Sequence, residues 1–179
     1  MLDPAAEALV RSRIKVVADW PQAGVSFKDL SGVMADPLAF RAVIDGLASV
    51  ASEVKIDAVI GIEARGFPYG AALAHHLGAG FVAMRKAGKL PGEVHAREYE
   101  LEYGTATLEL HTDAVGAGQR VLIIDDVLAT GGTAAAAIDL VRQTGADIVA
   151  VLVIMDLPFL GGRALLESRA VPVHTLLSA

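Results

Sequence analysis

The segment "VLIIDDVLATGGTAAAA", residues 121–137, decides the fold and indicates where the chemistry takes place. It begins as an apolar strand that closes with two adjacent aspartates, Asp125 and Asp126. A glycine-containing turn and an alanine-rich helical stretch follow. An apolar run without polar alternation is typical of a strand buried on both faces, as in parallel sheets covered by helices. The segment therefore predicts a buried strand, a tight turn and a helix of an α/β domain.

Similar runs occur along the rest of the chain and extend this prediction. Strands are predicted by apolar, β-branched stretches at 57–62, 80–84, 120–126 and 147–155. Helices are predicted at 36–54, 66–77 and 132–144, the last of them ending at Gly145 as its C-cap. Strands that alternate with helices predict the α/β class, with a doubly wound, mostly parallel sheet flanked by helices.

Residues 85–110 depart from this pattern. The stretch starts rich in glycine, proline and lysine and then alternates between polar and apolar residues, as in "YELEYGTATLEL". We expect a flexible loop that runs into an antiparallel hairpin near Gly104. Long insertions in compact α/β domains are more often mobile lids than packing elements, so a lid is the preferred interpretation.

Length and composition limit the class of protein. The 179 residues predict one domain, 1–179, with a sizeable core. Although 54% of the residues are hydrophobic, the longest stretch without charged side chains, 66–84, contains Pro68 and two histidines and is poorly suited to span a membrane. The chain starts without a secretory pattern and has no cysteine, which fits a reducing compartment. We therefore expect a cytoplasmic protein that does not bind membranes.

The charge distribution favours a small anionic ligand over a nucleic acid. A net charge of −6 argues against a general nucleic-acid binder, which would present a basic face. Residues 84–97 nevertheless carry four basic side chains against one acidic one. A basic patch in an acidic protein suggests a small anion. The alternative is a solvated, lysine-rich loop.

The end of the strand at 120–126 predicts a site for a phosphorylated sugar. Ligands of open α/β sheets bind at the carboxyl ends of the strands. Residues 129–133, "ATGGT", combine glycines, threonine hydroxyls and the amides of a helix N-terminus, a combination that suits a phosphate monoester. Asp125 and Asp126 would repel phosphate but suit sugar hydroxyls or a Mg²⁺ ion. Together they predict ribose 5-phosphate. The alternative is an ordinary, well-capped connection beside one solvated carboxylate.

A second strand end predicts another anion site. "VIGIEARGFPYG", residues 59–70, places Glu63 and Arg65 in a short turn before a helix. A guanidinium can bind phosphate in a bidentate manner. The basic residues Arg85, Lys86 and Lys89 follow the next strand and can complete a highly charged site. Two anion sites that flank a ribose suggest a substrate with phosphates at both ends.

These motifs resemble the type I phosphoribosyltransferases. "VLIIDDVLATGGT" is similar to the phosphoribosyl pyrophosphate motif of that family. Other stretches resemble its adenine-specific subgroup, namely "DWPQAGVSFKDLS" (19–31), "EARGFPYGAALAHHLG" (63–78), "RKAGKLPGEV" (85–94), "YELEYG" (99–104) and "LGGRALLESRAVPVHTLL" (160–177). The resemblance covers 14–177, and the combination of motifs is specific where the phosphate motif alone is not.

The resemblance implies a reaction and its partners. Ribose 5-phosphate would pass from phosphoribosyl pyrophosphate to adenine, which gives AMP and pyrophosphate in purine salvage. Mg²⁺ would be held mainly by the substrate, with no direct protein ligand and with water between the ion and Asp125 or Asp126. A homodimer is implied as well. Residues 1–35 would contribute a hood over the base.

The resemblance also implies individual roles. The 5-phosphate would bind at Ala129, Thr130, Gly131, Gly132 and Thr133, and the ribose hydroxyls at Asp125 and Asp126. Pyrophosphate would bind at Arg65, Arg85, Lys86 and Lys89, with 85–89 either in its own site or in that of a neighbouring subunit. Adenine would bind at Val25, Phe27 and Lys28, the last mainly through its backbone. Glu102 and Tyr103 would lie on the closing loop near the reacting atoms.

Glu102 is the candidate that accepts or orients the proton adenine loses as its nitrogen attacks. The alternative for Glu102 is a hairpin carboxylate that faces solvent. Two alternative functions remain open at this point. One is a non-catalytic sensor of phosphoribosyl pyrophosphate on the same fold. The other is a related phosphoribosyltransferase that uses a different purine or a pyrimidine.

Overall fold

The computed structural model of the protein describes residues 2–20, 22–51, 54–100 and 104–179. The strands are β1 (Lys15–Ala18), β2 (Ser26–Asp29), β3 (Ala58–Ile62), β4 (Gly80–Lys86), β5 (Val94–Glu100), β6 (Thr105–His111), β7 (Arg120–Leu128), β8 (Asp147–Asp156) and β9 (Val173–Ser178). The α-helices are α1 (Pro4–Arg13), α2 (Ser31–Ala35), α3 (Pro37–Ala48), α4 (Gly66–Leu77), α5 (Gly132–Thr144) and α6 (Gly162–Glu167). Short 3₁₀ turns follow α3 and β8.

A seven-stranded sheet in the order β5-β6-β4-β3-β7-β8-β9 forms the centre of the molecule. The five strands β4, β3, β7, β8 and β9 pair in parallel with their neighbours in that order. Strand β6 pairs antiparallel with both β4 and β5. The sheet is therefore mixed but mostly parallel, as predicted. A separate two-stranded antiparallel ribbon, β1–β2, stands outside it.

Each central strand contributes alternate side chains to two apolar cores. On β7, Leu122 and Ile124 join the core with α3 and α4, whereas Val121 and Ile123 join the core with α5. All four side chains are fully buried. Because both faces of the strand are covered, the uninterrupted apolar run is the expected consequence, and the doubly wound α/β prediction is confirmed.

The predicted elements agree with the structure except at some ends. Helices α4 and α5 span the predicted residues, and α5 ends at Gly145, which has a φ of +78°. The helix predicted at 36–54 ends at Ala48 and continues as a 3₁₀ turn over Ser49–Ala51, a frequent way for a helix to end. The predicted hairpin is also present, with Glu100 opposite Thr105. Its mobility stays a prediction.

Strand β7 is longer than predicted, and this changes the setting of the acidic pair. Val127 pairs with Met155 and Leu128 with Asp156 on β8, so the strand continues for two residues beyond Asp126. The aspartates therefore lie inside the paired part of the strand, with two residues of β7 after them. Strand β4 is extended in the same way, because Arg85 and Lys86 pair with β6. No described residues form a helix that is long and apolar enough to cross a membrane.

Candidate active site

A cavity of about 580 Å³ opens at the carboxyl ends of β3, β7 and β8, beside the β1–β2 ribbon. The following predicted site residues line it: Val25, Phe27, Lys28, Arg65, Lys86, Asp125, Asp126, Ala129, Thr130, Gly131, Gly132 and Thr133. They come from four separate parts of the chain. The structure thus brings together most of the residues that the sequence suggested, while their individual roles stay predictions.

Residues 129–133, here called the phosphate turn, lead from β7 into α5. Gly131 has a φ of +85°, a backbone conformation that residues with a side chain rarely adopt. Helix α5 begins at Gly132, and the first amides of an α-helix have no acceptor within the helix. These amides and the positive end of the helix dipole make the turn suitable for a phosphate group.

Asp125 and Asp126 form a close, largely buried pair. The Asp126 amide donates to Asp125 Oδ1 and the Val127 amide to Asp126 Oδ1, both at 2.9 Å. Asp126 is only 2% exposed. Burial raises the pKa of Asp125, and the neighbouring Asp126 raises it further. Burial also raises the pKa of Asp126, although Arg65 opposes this effect. Ligands that donate hydrogen bonds or carry positive charge would favour the ionised pair.

Arg65 connects the acidic pair with the aromatic side chains of Phe27 and Trp20 at the β1–β2 ribbon. Its Nε lies 2.9 Å from Asp126 Oδ2, close enough for an ion pair. Its N–H is not directed at that oxygen, so Oδ2 has no hydrogen-bond donor within the part of the chain that the structure describes. The guanidinium carbon also lies 5.1 Å from the ring centre of Phe27. The Phe27 ring packs edge-on against Trp20, with 4.3 Å between the two ring centres.

Glu63 organises residues 85–89, here called the basic loop, which comprise the end of β4 and the first residues after it. Its carboxylate, only 8% exposed, accepts hydrogen bonds from the Lys86 amide at 2.9 Å, from Arg85 Nε at 3.4 Å and from Lys89 Nζ. Burial alone would raise the pKa of Glu63, but the bonds from Lys89 and the Lys86 amide outweigh it and the pKa is lowered. Among the described residues of this loop, only Lys86 lines the cavity, whereas Arg85 and Lys89 point to Glu63.

Sequence reasoning missed several residues of the site. Leu157 and Leu160 line the cavity directly after β8, and Trp20 lines it from the connection between β1 and β2. The rule that ligands bind at carboxyl ends of parallel strands applies equally to β8 and would have found the two leucines. No local pattern indicated that Glu63 holds the basic loop. Two predicted catalytic residues, Glu102 and Tyr103, lie outside the described residues.

The donor set of the cavity fits a Mg²⁺ ion that is shared with a substrate. Hard carboxylate oxygens are present at Asp125 and Asp126, and one of them, Asp126 Oδ2, lacks a hydrogen-bond donor among the described residues. Over those same residues, no group of three or more His, Asp or Glu side chains is close enough to hold a metal by itself. A Mg²⁺ ion at this position would therefore depend on oxygens supplied by the ligand and by water.

Comparisons with known proteins agree with this geometry. The profile described as "Phosphoribosyl transferase domain" matches residues 34–169. An adenine phosphoribosyltransferase of Dinoroseobacter shibae is 50% identical over 94% of this chain and 94% of its own length. The crystal structure of adenine phosphoribosyltransferase from Rhodothermus marinus has a TM-score of 0.93 and 46% identity, and it covers 99% of this chain and 100% of its own.

A second solved structure is a complex with ligands. Adenine phosphoribosyltransferase from Saccharomyces cerevisiae, complexed with an imino-altritol 1,6-bisphosphate and adenine, has a TM-score of 0.91 and 41% identity, with coverage of 98% of this chain and 100% of its own. The similarity thus extends over nearly the whole length of each protein. The chain belongs to the phosphoribosyl transferase family and, within it, to the adenine phosphoribosyltransferases.

Proposed function

We propose that this chain transfers ribose 5-phosphate from phosphoribosyl pyrophosphate to adenine, producing AMP and pyrophosphate for purine salvage. The observation that carries the proposal is that one cavity is lined by the phosphate turn, the acidic pair and the aromatic hood. Each of the three suits one part of this substrate pair, namely a phosphate, a ribose and a planar base. The yeast relative complexed with a sugar-like bisphosphate and adenine supports the same combination of ligands.

The 5-phosphate and the ribose would bind side by side at the end of β7. The amides of the phosphate turn would hold the phosphate, with the hydroxyls of Thr130 and Thr133 as further donors. Asp125 and Asp126 precede that turn by a few residues and line the same cavity, so their oxygens would bind the 2- and 3-hydroxyls of the same sugar. Hydroxyl donors stabilise the ionised carboxylates and oppose the effect of burial on their pKa values.

Adenine would bind between the hood and the residues that follow β8. Phe27 offers an aromatic face, and Leu157 and Leu160 offer apolar surface in the same cavity. A flat, apolar slot suits a purine ring, and Val25 would add apolar surface to it. The backbone of Lys28 on β2 would bind the hydrogen-bonding edge of the base.

Pyrophosphate would bind on the side of the cavity formed by Arg65 and Lys86. Both side chains line the cavity and can donate to phosphate oxygens. Arg85 and Lys89 do not line the cavity, and both form ion pairs with Glu63. For these two residues to bind pyrophosphate, they would exchange Glu63 for phosphate oxygens. Arg65 and Lys86 would therefore make the primary contacts with pyrophosphate.

Mg²⁺ would be held by substrate oxygens and, through water, by Asp125 or Asp126. When bound, the ion would neutralise charge that accumulates on the pyrophosphate as it leaves. The side chains of Arg65 and Lys86 would act in the same sense, because fixed positive groups stabilise a developing anion without reorganising during the reaction.

The chemical step would separate pyrophosphate from C1 of the ribose and leave an oxocarbenium-like sugar that adenine attacks. Water would capture such a cation, so the hairpin β5–β6 would close over the cavity before reaction. Glu102, placed by sequence just after β5, would accept or orient the proton that adenine loses, and Tyr103 would lie beside it. We further propose that the protein acts in the cytoplasm, because its lack of cysteine fits a reducing compartment. The family resemblance suggests that it acts as a homodimer.

The test is turnover of each free nucleobase with phosphoribosyl pyrophosphate and Mg²⁺, with nucleotide and pyrophosphate release measured separately. We expect adenine to be converted to AMP and other bases to react far more slowly. Equal or faster turnover of another base would contradict the assignment of adenine. Binding of phosphoribosyl pyrophosphate without turnover of any base would contradict an enzymatic role and favour the sensor.

A further inference from the structure

The segment 157–163, here called the support turn, packs against the backbone of the phosphate turn. The Gly162 amide donates to the Ala129 carbonyl oxygen at 3.1 Å. A Cβ atom on Gly162 would lie 2.2 Å from that oxygen and 2.9 Å from the Gly131 nitrogen. A Cβ atom on Gly131 would in turn lie 2.9 Å from the Gly162 carbonyl oxygen. The two backbones are therefore in direct contact, with no space for a side chain between them.

Arg163 anchors the support turn to two strands of the sheet. Its Nε donates to Asp156 Oδ2 at 2.8 Å, Nη1 to the Val173 carbonyl oxygen at 3.2 Å and Nη2 to Thr175 Oγ1 at 3.2 Å. Asp156, the last residue of β8, is 2% exposed. Its Oδ1 has no hydrogen-bond donor among the described residues. The ion pair between Arg163 and Oδ2 therefore compensates the charge of a nearly buried carboxylate.

The other end of the support turn lies in the cavity. The Leu157 amide donates to the Leu128 carbonyl oxygen at 2.9 Å, which continues the pairing of β7 and β8. Leu157 and Leu160 then line the cavity that also contains Phe27. The support turn therefore starts at the proposed adenine side, is fixed by Arg163 and contacts the phosphate turn from below.

We propose that the support turn sets the position of the phosphate-binding amides, and that Arg163 is a positioning residue which acts through Gly162 and touches no substrate. The inference rests on the proposed function, in which the phosphate turn holds the 5-phosphate. Backbone atoms in van der Waals contact transmit a displacement directly. A misplacement of about 1 Å far from the reacting atoms can lower a rate by roughly two orders of magnitude.

The test uses Gly162→Ala and Arg163→Lys, with binding of ribose 5-phosphate to the purified protein measured by calorimetry. Gly162→Ala forces the two turns apart, and Arg163→Lys keeps the charge but cannot make the three directed bonds of the guanidinium. We expect about tenfold weaker binding of ribose 5-phosphate and a similar rise of KM for phosphoribosyl pyrophosphate in both variants. KM for adenine should change less than about threefold, because Phe27 is untouched and the substituted residues lie beyond Leu157 and Leu160, the part of the support turn on the adenine side.

Matched controls separate positioning from general destabilisation. Gly116→Ala adds the same methyl group without a clash, since the nearest atom to its Cβ would be Gln119 Oε1 at 4.0 Å. Arg41→Lys makes the same exchange on an exposed face of α3. Both should bind ribose 5-phosphate like the unmodified protein. A purely structural role for Arg163 would lower the fraction of folded protein and leave the affinity of the folded fraction unchanged.

Thr175→Val provides a milder variant that removes one of the three bonds to Arg163 and keeps the volume of the side chain. We expect a smaller loss of ribose 5-phosphate affinity, about two- to fivefold. Unchanged affinity in the folded fraction of all three variants would overturn the inference. Failure of the unmodified protein to bind ribose 5-phosphate or phosphoribosyl pyrophosphate would instead overturn the proposed function, so the two failures are distinguishable.

Discussion

Replacement of Arg65 by methionine tests how the site is held together in the absence of substrate. Methionine keeps most of the length of the side chain and removes the guanidinium. In the structure that group is paired with Asp126 at 2.9 Å and lies over the Phe27 ring at 5.1 Å. The substitution therefore leaves a nearly buried carboxylate without its cation and a hood aromatic without its polar neighbour.

The size of the effect follows from the exposure of the two partners. Loss of one partner of a fully buried ion pair costs about 3–5 kcal/mol, whereas an exposed pair contributes less than about 1 kcal/mol. Asp126 is 2% exposed but Arg65 is 48% exposed, so the pair lies between these limits. The contact with Phe27 adds about 0.5 kcal/mol. We therefore expect the free energy of unfolding to fall by about 2 kcal/mol, which corresponds to a decrease of roughly 4–8 °C in Tm for a protein of this size.

The loss should depend on pH in a defined direction. Burial raises the pKa of Asp126 in the folded protein, and Arg65 opposes that rise. Without Arg65 the folded-state pKa rises further above the unfolded value, so ionisation of Asp126 costs more stability. The cost is present where Asp126 is ionised and disappears as the pH falls through its folded-state pKa. The destabilisation should therefore be larger at pH 8 than at pH 5.

The assay is urea unfolding of Arg65→Met in the unmodified and Asp126→Asn backgrounds, without ligand, at both pH values. We expect most of the loss to disappear in the Asp126→Asn background, where no carboxylate needs a cation. Arg41→Met, an exchange on an exposed face of α3, serves as the control and should change the free energy of unfolding by less than about 0.5 kcal/mol. A loss that is equal in both backgrounds, or that grows toward low pH, would refute the reasoning.

Three further variants test other parts of the site. Asp125→Asn with Asp126→Asn should lower kcat by at least about a hundredfold, because the ribose hydroxyls lose ionised acceptors, while thermal melting shows that the fold is retained or stabilised without ligand. Full activity would rule out the ribose assignment. Glu63→Gln removes the charge that holds the basic loop, and we expect a several-fold change of KM for phosphoribosyl pyrophosphate with little change for adenine; equal changes in both KM values would contradict this role. Gly66→Ala places a Cβ 2.5 Å from the Ile124 carbonyl oxygen and should cost about 1–3 kcal/mol in urea unfolding, whereas Gly116→Ala should be nearly neutral. Equal stability of the two alanine variants would show that α4 can move away from β7 without cost.

The central strands and the phosphate turn could be predicted because their signals are local. An uninterrupted apolar run such as 121–124 indicates burial on both faces, and a glycine turn between a strand and a helix indicates an anion site. The ribbon β1–β2 was not predicted as strands, since β1 is exposed throughout, β2 is only partly buried, and the two four-residue strands depend on pairing with each other. Strand β7 was predicted too short, because its last residues become strand only through pairing with β8.

The sequence alone determined the doubly wound α/β fold, the phosphate turn and the acidic pair of Asp125 and Asp126, because each depends on residues that are neighbours in the chain. The tertiary structure alone decided which charges meet. It joined Arg65 to Asp126 and bound the basic loop to Glu63. It also placed Gly162 under Gly131. These contacts link residues more than twenty positions apart, and electrostatic and packing energies depend on distances in space that no local pattern contains.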